Sequence, residues 1–173
     1  MPITVFASVL LAALVTQSGA LHFDAPSAWK PRPSTSSMRV AEFVVPRVAG
    51  DPEDAETIVY FFGGSGGSVD ANIERWVGQF QTESGGAVPA PTRTTSTIGS
   101  LPVTAIDVSG TYVAQVRPGS AERFNKPNFR MWAAVVETPK GPYFVKLTGP
   151  ARTVTHVLTN GDVDRFVKSL RFE

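Results

Sequence analysis

The residues with the clearest chemical potential are Gly63-Gly64-Ser65-Gly66-Gly67, which match the pattern Gly-X-Ser-X-Gly. The motif lies between a predicted strand and a predicted helix, which is where a hydrolase nucleophile elbow lies. Asp107 and His156 follow it in the Ser, Asp, His order of that fold. The sequence therefore contains one candidate catalytic set, that of a small serine hydrolase using Ser65, Asp107 and His156.

Three features argue against this hydrolase. The elbow belongs to a larger and mostly parallel sheet, whereas this chain has neither the length nor the βαβ alternation. The following helix is predicted to begin at Ser68 or Val69, too late to carry Ser65 on its first turn. The motif also arises easily by chance in a loop of four glycines. These glycines are typical of a flexible connection, and they lack the Lys of a phosphate-binding loop and the third Gly of a dinucleotide fingerprint.

Metal and cofactor chemistry have little support in the sequence. There is no cysteine, which excludes thiolate ligands and disulfides. The two histidines, His22 and His156, fall on the predicted first strand and last helix. The acidic residues that could suggest calcium are Asp51, Glu53, Asp54 and Glu56. Their spacing matches no EF-hand loop, and Pro52 is typical of a solvated turn. We expect no metal, no cofactor and no enzymatic activity.

A predicted insertion between residues 116 and 131 combines positive charge with aromatic rings. The candidate partner-binding residues are Arg117, Arg123, Phe124, Lys126, Phe129 and Arg130. Long loops in compact domains concentrate function, and this one would suit an acidic protein face or lipid headgroups. A mobile, solvated insertion is the other interpretation. The loop at residues 31–37, which is rich in Pro and Ser, is a second and weaker candidate.

The composition describes a globular protein that does not bind nucleic acid. Of the 173 residues, 42% are hydrophobic and 18% are charged, which suits one folded domain. Sixteen basic and fifteen acidic residues give a formal net charge of +1, without the basic excess of a nucleic-acid binder. Fifteen glycines and fourteen prolines imply many turns, which favours strands over a helical bundle.

Residues 1–20 are predicted to be a signal peptide or, if retained, an N-terminal membrane anchor. The apolar run of about 13 residues from position 3 to 15 is too short for a comfortable membrane span and suits a signal-peptide core. Ser18 and Ala20 are the small residues that signal peptidase prefers near its cut. No Lys or Arg precedes the apolar run. We expect a periplasmic protein, or one associated with the membrane on its periplasmic face, with residues 21–173 as the folded domain.

The elements that would position these residues follow from the polar and apolar pattern. The predicted strands cover residues 21–24, 38–45, 56–62, 92–98, 101–116, 130–138 and 143–148. The firmest helix begins near Ser68, and Ile73, Trp76, Val77 and Phe80 form its apolar face. A second helix follows residue 150, with a break expected at Asn160-Gly161. Strands joined by short turns predict an α+β fold with a mainly antiparallel central sheet and helices packed on it.

Three segments resemble the Mog1/PsbP-like superfamily. They are residues 21–30 (LHFDAPSAWK), 67–76 (GSVDANIERW) and 144–150 (FVKLTGP). The resemblance covers residues 21–173 and implies an α-β-α sandwich with an antiparallel central sheet. PsbP proteins are non-enzymatic extrinsic subunits on the lumenal face of a photosynthetic complex, and Mog1 is a protein-binding adaptor. Neither family supplies a catalytic motif that matches this sequence.

The resemblance therefore implies a non-catalytic accessory or scaffold subunit that docks on the periplasmic (lumenal) face of a membrane protein complex. A photosynthetic or electron-transport complex is the implied class of partner. Direct membrane contact would involve residues 1–20. Two alternatives remain: the serine hydrolase, and a periplasmic carrier of a small ligand, for which we would expect a closed apolar pocket.

Overall fold

The computed structural model describes residues 19–173. Across them the chain forms ten strands and three helices. The strands are β1 (Leu21–His22), β2 (Lys30–Arg32), β3 (Arg39–Val45), β4 (Ala55–Phe61), β5 (Phe80–Gln81), β6 (Thr92–Ile98), β7 (Leu101–Tyr112), β8 (Lys126–Val136), β9 (Tyr143–Pro150) and β10 (Arg171–Phe172). The helices are α1 (Val69–Val77), α2 (Ala151–Thr159) and α3 (Asp162–Lys168).

Eight strands form one sheet in which every pairing is antiparallel. Their order is β2-β3-β4-β9-β8-β7, and β5 and β6 both pair with β7 at the far end. Strand β3 pairs with β4, and β6 and β7 form a hairpin that turns at Gly99-Ser100. The predicted α+β class with a mainly antiparallel sheet is therefore confirmed.

The sheet carries helices on both faces. Successive residues of a strand point to opposite faces, so Phe144 and Val145 of β9 enter different hydrophobic clusters. Phe144 packs with the α1 residue Trp76, while Val145 packs with the α2 residue Val154 and the α3 residue Phe166. We call these the α1 face and the α2–α3 face of the sheet.

Helix α1 begins as predicted but ends earlier. The hydroxyl of Ser68 accepts a hydrogen bond from the Ala71 backbone at 3.2 Å, which caps the first turn. The helix ends at Val77, and Phe80 lies in the short strand β5, although its side chain is buried. Strands β2, β5 and β10 were not predicted, because two- or three-residue strands depend on their pairing partners.

The predicted break in the last helix is also confirmed. Gly161, with a φ of 83°, separates α2 from α3. This left-handed conformation favours glycine, so the sequence Asn160-Gly161 is a good place for the chain to change direction.

The first described residues pack against the last ones. The Ala20 amide donates to the Glu173 carbonyl at 2.6 Å, and the Glu173 amide donates back at 3.2 Å. Leu21 continues this pairing opposite Phe172. Trp29, which follows β1, is buried. The two described ends of the chain therefore lie side by side.

No helix in residues 19–173 is long and apolar enough to cross a membrane. Residues 1–18 of the predicted signal peptide or anchor lie outside the described part of the chain.

A pair of buried threonines yields a stability prediction. Thr57 is fully buried and alternates with Ala55 and Val59, so it points into the α2–α3 face, where its hydroxyl has no hydrogen-bond partner among the described residues. Thr57→Val keeps the shape and removes an uncompensated polar group, so we expect the free energy of unfolding to rise by about 1 kcal/mol. Urea unfolding followed by tryptophan fluorescence measures this change.

The matched control is Thr153→Val. The Thr153 hydroxyl is also fully buried, but it donates to Asp51 at 2.6 Å and accepts from the Val48 amide at 3.1 Å. Here we expect a loss of about 1–3 kcal/mol, because the substitution leaves the Val48 amide without its partner and removes one of the two hydrogen bonds that Thr153 donates to Asp51. If Thr57→Val lowered the free energy of unfolding as much as Thr153→Val does, the prediction would be contradicted.

Candidate functional site

The predicted basic and aromatic insertion begins and ends about four residues earlier than the sequence indicates, because β7 ends at Tyr112. Strand β8 begins at Lys126 rather than at Arg130, so the β7–β8 loop covers residues 113–125. The loop continues the hairpin irregularly, since Phe124 donates its amide to Ala114 at 2.9 Å and Val116 donates to Glu122 at 3.0 Å. It therefore has a defined backbone path.

Two of the six predicted partner-binding residues are engaged within the fold. Phe129 is buried in the cluster on the α1 face. Arg130 donates through Nε to Asp107 at 2.8 Å and through Nη1 to the Thr155 hydroxyl on α2 at 2.6 Å. The hydrogen bond with Asp107 raises the pKa of Arg130. This residue therefore ties the sheet to α2.

The other four residues lie at or near the loop. Lys126 pairs with Glu53 at 2.8 Å, and its ammonium group lies 4.9 Å from the centre of the Phe124 ring. Phe124 also stacks on Tyr112 with a centroid separation of 5.7 Å. Arg117 and Arg123 are exposed. The structure thus presents two of the predicted arginines to solvent, beside a ring that is held in place.

The structure does not bring the candidate hydrolase residues together. Ser65 is exposed, and its hydroxyl donates to the Phe62 carbonyl at 2.8 Å. Asp107 is paired with Arg130, and His156 is exposed on α2. Each of the three side chains therefore has different surroundings, and no contact joins them within the described part of the chain.

The glycine-rich loop has a packing role. Gly66 lies against the ring of Phe144, and a Cβ there would approach the ring to within 2.3 Å. Gly141 approaches Gly64 so closely that a Cβ at position 141 would lie 2.4 Å from the Gly64 Cα. Small residues are needed here because backbone and ring come within contact distance.

The acidic residues of the turn before β4 also have structural partners. Asp51 accepts from the Thr153 amide at 2.9 Å, and so caps the start of α2. Asp54 accepts from the Arg47 amide at 3.0 Å. Within residues 19–173 no group of three or more His, Cys, Asp or Glu side chains is arranged to hold a metal ion.

One cavity on the α1 face, of about 640 Å³, is lined by several charged side chains, and we call it the sheet cavity. It is open to solvent and lies between the end of α1 and the β7–β8 loop. Its polar lining includes Arg39, Glu56, Tyr60, Arg75, Gln79 and Lys146. Arg123 and Phe124 line it from the loop. A smaller recess of about 120 Å³ shares Tyr60, Arg75, Gln79 and Lys146 with it.

Positive charge predominates in the sheet cavity. Its carboxylate, Glu56, is paired with Arg32 at 2.6 Å. Three of its four cations are bonded to neutral groups: Arg75 to the Asn72 side chain, Arg123 to the Val113 carbonyl, and Lys146 to Gln79. None of these three forms an ion pair with a carboxylate among the described residues. The cavity therefore suits a negatively charged ligand.

Lys146 is the most unusual of these cations. It lies on the central strand β9 and is partly buried, and its Nζ donates to Gln79 Oε1 at 2.9 Å. Burial lowers the pKa of Lys146 to about 8; Glu56 opposes this shift, whereas Arg75 and Arg39 add to it by repulsion. Near pH 8 the amino group is therefore only partly charged.

The fourth cation, Arg39, is held by a buried carboxylate. Glu42 is 1% exposed and accepts hydrogen bonds from Arg32 and Arg39, both at 3.0 Å. It also accepts from the amide and hydroxyl of Thr35 at 2.7 and 2.9 Å. Burial alone would raise the pKa of Glu42, but these bonds and the charge of Arg39 lower it to about 2. Thr35 belongs to the second candidate loop at residues 31–37, which is thus tied to the sheet.

Sequence reasoning did not find the sheet cavity. Arg39, Arg75 and Lys146 come from β3, α1 and β9, and only the fold brings them together. One signal was present, because Lys146 interrupts an apolar strand between Val145 and Leu147. A charge at such a position needs an open space or a partner.

No family model matches the chain, and no curated protein matches it.

Proposed function

We propose that this protein is a non-catalytic, exported accessory subunit that docks on the periplasmic (lumenal) face of a membrane protein complex. An acidic segment of that complex binds in the sheet cavity and along its rim, which is the part of the β7–β8 loop that lines the cavity with Arg123 and carries the exposed Arg117 nearby. The observation that carries the proposal is a set of cations in one open cavity that have no acidic partner within residues 19–173: Arg75, Arg123 and Lys146.

The resemblance of residues 21–30, 67–76 and 144–150 to the Mog1/PsbP-like superfamily supports the proposal. We propose membership of that superfamily, with its α-β-α sandwich and a photosynthetic or electron-transport complex as the class of partner. Packing of α1 on one face of the sheet and of α2 and α3 on the other is compatible with this sandwich.

The charge of the sheet cavity and the fixed position of its aromatic rim both favour docking. An excess of positive charge on a concave surface attracts acidic segments and speeds their association. Phe124 stacks on Tyr112 and stays half-buried, so the rim offers aromatic area in a fixed place. Aromatic and arginine side chains are the residues that most often dominate the energy of protein interfaces.

Charge reversal at the rim tests the proposal. The full chain, expressed in its own host, is recovered from gently solubilised membranes by size separation and identified by mass spectrometry. We expect wild type to run with a membrane complex. Because rim charges contribute to attraction, Arg117→Glu with Arg123→Glu should reduce the co-migrating fraction by about tenfold.

The control is Lys30→Glu with Lys140→Glu, which reverses two exposed charges outside the loop and the sheet cavity. This variant should co-migrate like wild type. A wild-type protein that always runs alone contradicts docking. Stoichiometric labelling of Ser65 by a fluorophosphonate probe contradicts the non-catalytic assignment and favours the hydrolase.

A further inference from the structure

We propose that the recess of the sheet cavity is a carboxylate-binding subsite, in which Lys146 and Arg75 bind an Asp or Glu side chain of the docking partner. This inference rests on the proposed docking function and assigns the central contact within it.

The position of the two cations carries the inference. Arg75 lies in the last turn of α1, and Lys146 lies on the neighbouring strand β9; both line the same recess. Their hydrogen-bond partners are the amide oxygens of Asn72 and Gln79, which are neutral. A carboxylate would supply the opposite charge that these amides lack. An ion pair adds a charge–charge attraction that a hydrogen bond from a cation to a neutral amide lacks.

The end of α1 supplies only part of the compensating charge. The C-terminus of a helix carries the equivalent of about half a negative charge, and the effect is screened where solvent enters. Lys146 and Arg75 together exceed that amount, and Arg39, which is paired with Glu42, is not needed for the excess. The recess therefore keeps a net positive charge.

The size of the recess selects a side chain rather than a large ligand. Its volume is about 120 Å³, whereas one water occupies about 30 Å³ of liquid. A carboxylate on a short aliphatic stem fits that space, and a nucleotide does not. Phe62, Trp76 and Phe144 form an apolar wall against which such a stem can pack.

Binding at this subsite would be coupled to protonation. A bound carboxylate favours the charged form of Lys146 and so raises its pKa above the value of about 8 in the free protein. Formation of the complex is therefore accompanied by proton uptake near pH 8. At pH 6 the Lys146 amino group is already protonated in both the free and the bound protein, so no proton is taken up. The other charged or titratable groups that line the cavity are Arg39 on β3, Glu56 and Tyr60 on β4, Arg75 on α1, Tyr112 on β7 and Arg123 on the loop.

Calorimetry with a defined probe tests the subsite. The full chain is titrated with an acetylated hexaglutamate peptide at pH 6 and pH 8, in buffers of different ionisation enthalpy. We expect binding at both pH values and net proton uptake only at pH 8. Lys146→Gln should weaken binding by at least about tenfold, as expected for a lost charged contact. Lys146→Arg should bind without uptake, since arginine does not titrate in this range.

Two controls establish that the carboxylate and Lys146 are responsible for binding. Hexaglutamine that is acetylated and also amidated at its C-terminus should bind poorly because it has no carboxylate, and Lys140→Gln should bind the glutamate peptide like wild type. Thermal unfolding of each variant verifies that it is folded. Equal affinity for both peptides, or no proton uptake by wild type at pH 8, overturns the inference.

The outcomes separate this inference from the proposed function. A protein that co-migrates with a membrane complex but shows no proton uptake retains docking and loses the subsite. A protein that binds the glutamate peptide with proton uptake but always runs alone in membrane extracts retains the subsite and loses the docking function.

Discussion

Glu42→Ala is expected to lower the free energy of unfolding by about 3–5 kcal/mol, the usual result of removing one partner from a buried ion pair. Glu42 is almost fully buried and accepts hydrogen bonds from two arginines and from Thr35. Its removal leaves Arg39 without a carboxylate partner among the described residues, and leaves Arg32 with Glu56 alone. Urea unfolding at pH 7 measures the loss.

The control is Glu137→Ala, because Glu137 is exposed. A surface change of this kind usually alters stability by less than about 0.5 kcal/mol. A similar loss at both positions would show that the Glu42 cluster does not carry the effect.

The same carboxylate predicts how stability depends on pH. The pKa of Glu42 is about 2 in the folded protein against an ordinary value near 4.5. A lowered folded pKa means that the stabilising contribution is complete above about pH 4.5 and is lost as the pH falls towards 2. Glu42→Gln removes this titration, so its free energy of unfolding should fall less than that of wild type between pH 5 and pH 2.5. Parallel curves for the two proteins would contradict the assignment.

Phe166→Ala is expected to cost about 3–5 kcal/mol, the typical range for truncating a fully buried phenylalanine. The ring lies at the centre of the α2–α3 face and is 0% exposed. Its centroid is 5.2 Å from that of Phe23 and 5.6 Å from that of Trp29. The ring therefore joins α3 to the segment that follows β1. We also expect faster amide exchange in residues 21–29, because a cavity would form beneath them.

Phe172→Ala provides the comparison for Phe166. Phe172 packs against the same cluster but is only partly buried, so its truncation removes less contact area. The loss on urea unfolding should be clearly smaller than at Phe166. Equal losses would indicate that the pairing of β1 with β10, and not the ring of Phe166, holds the N-terminal segment.

Features that depend on neighbouring residues were predictable from the sequence. Ser68 caps α1 through an atom three residues away, and Gly99-Ser100 turns a hairpin whose strands follow at once. The break at Gly161 is equally local. In each case a few adjacent residues contain both the cause and the effect.

The start of β8 could not be predicted in this way. Pro127 and Asn128 favour a loop, and Asn128 has a φ of 56°, which is unusual for a residue in a strand. Pairing nevertheless reaches Lys126, opposite Tyr112, through an irregularity in β7 near Gly110. This contact between residues 14 positions apart is set by the whole sheet and leaves no local pattern.

In the candidate site, too, local features were predictable from the sequence and contacts between distant residues were not. The loop arginines 117 and 123 were predicted as candidates from charge and aromatic content, and both are exposed. Lys146 and Arg75 were not predicted as candidates, since 71 positions separate them in the sequence. Their shared recess depends on α1 packing across β9, which a pattern of single residues does not record.

The pairing of Ala20 with Glu173 determines where any tether would leave the domain. Leu21 and Phe172 pack on the α2–α3 face, whereas Lys146 and Tyr60 open into the sheet cavity on the other face. The exit point and the cavity are therefore on opposite sides of one sheet. If residues 1–20 are retained as a membrane anchor, the anchor and the proposed partner would use different faces of the sheet. The domain would then be attached to the membrane from its α2–α3 face and would bind its partner on its α1 face.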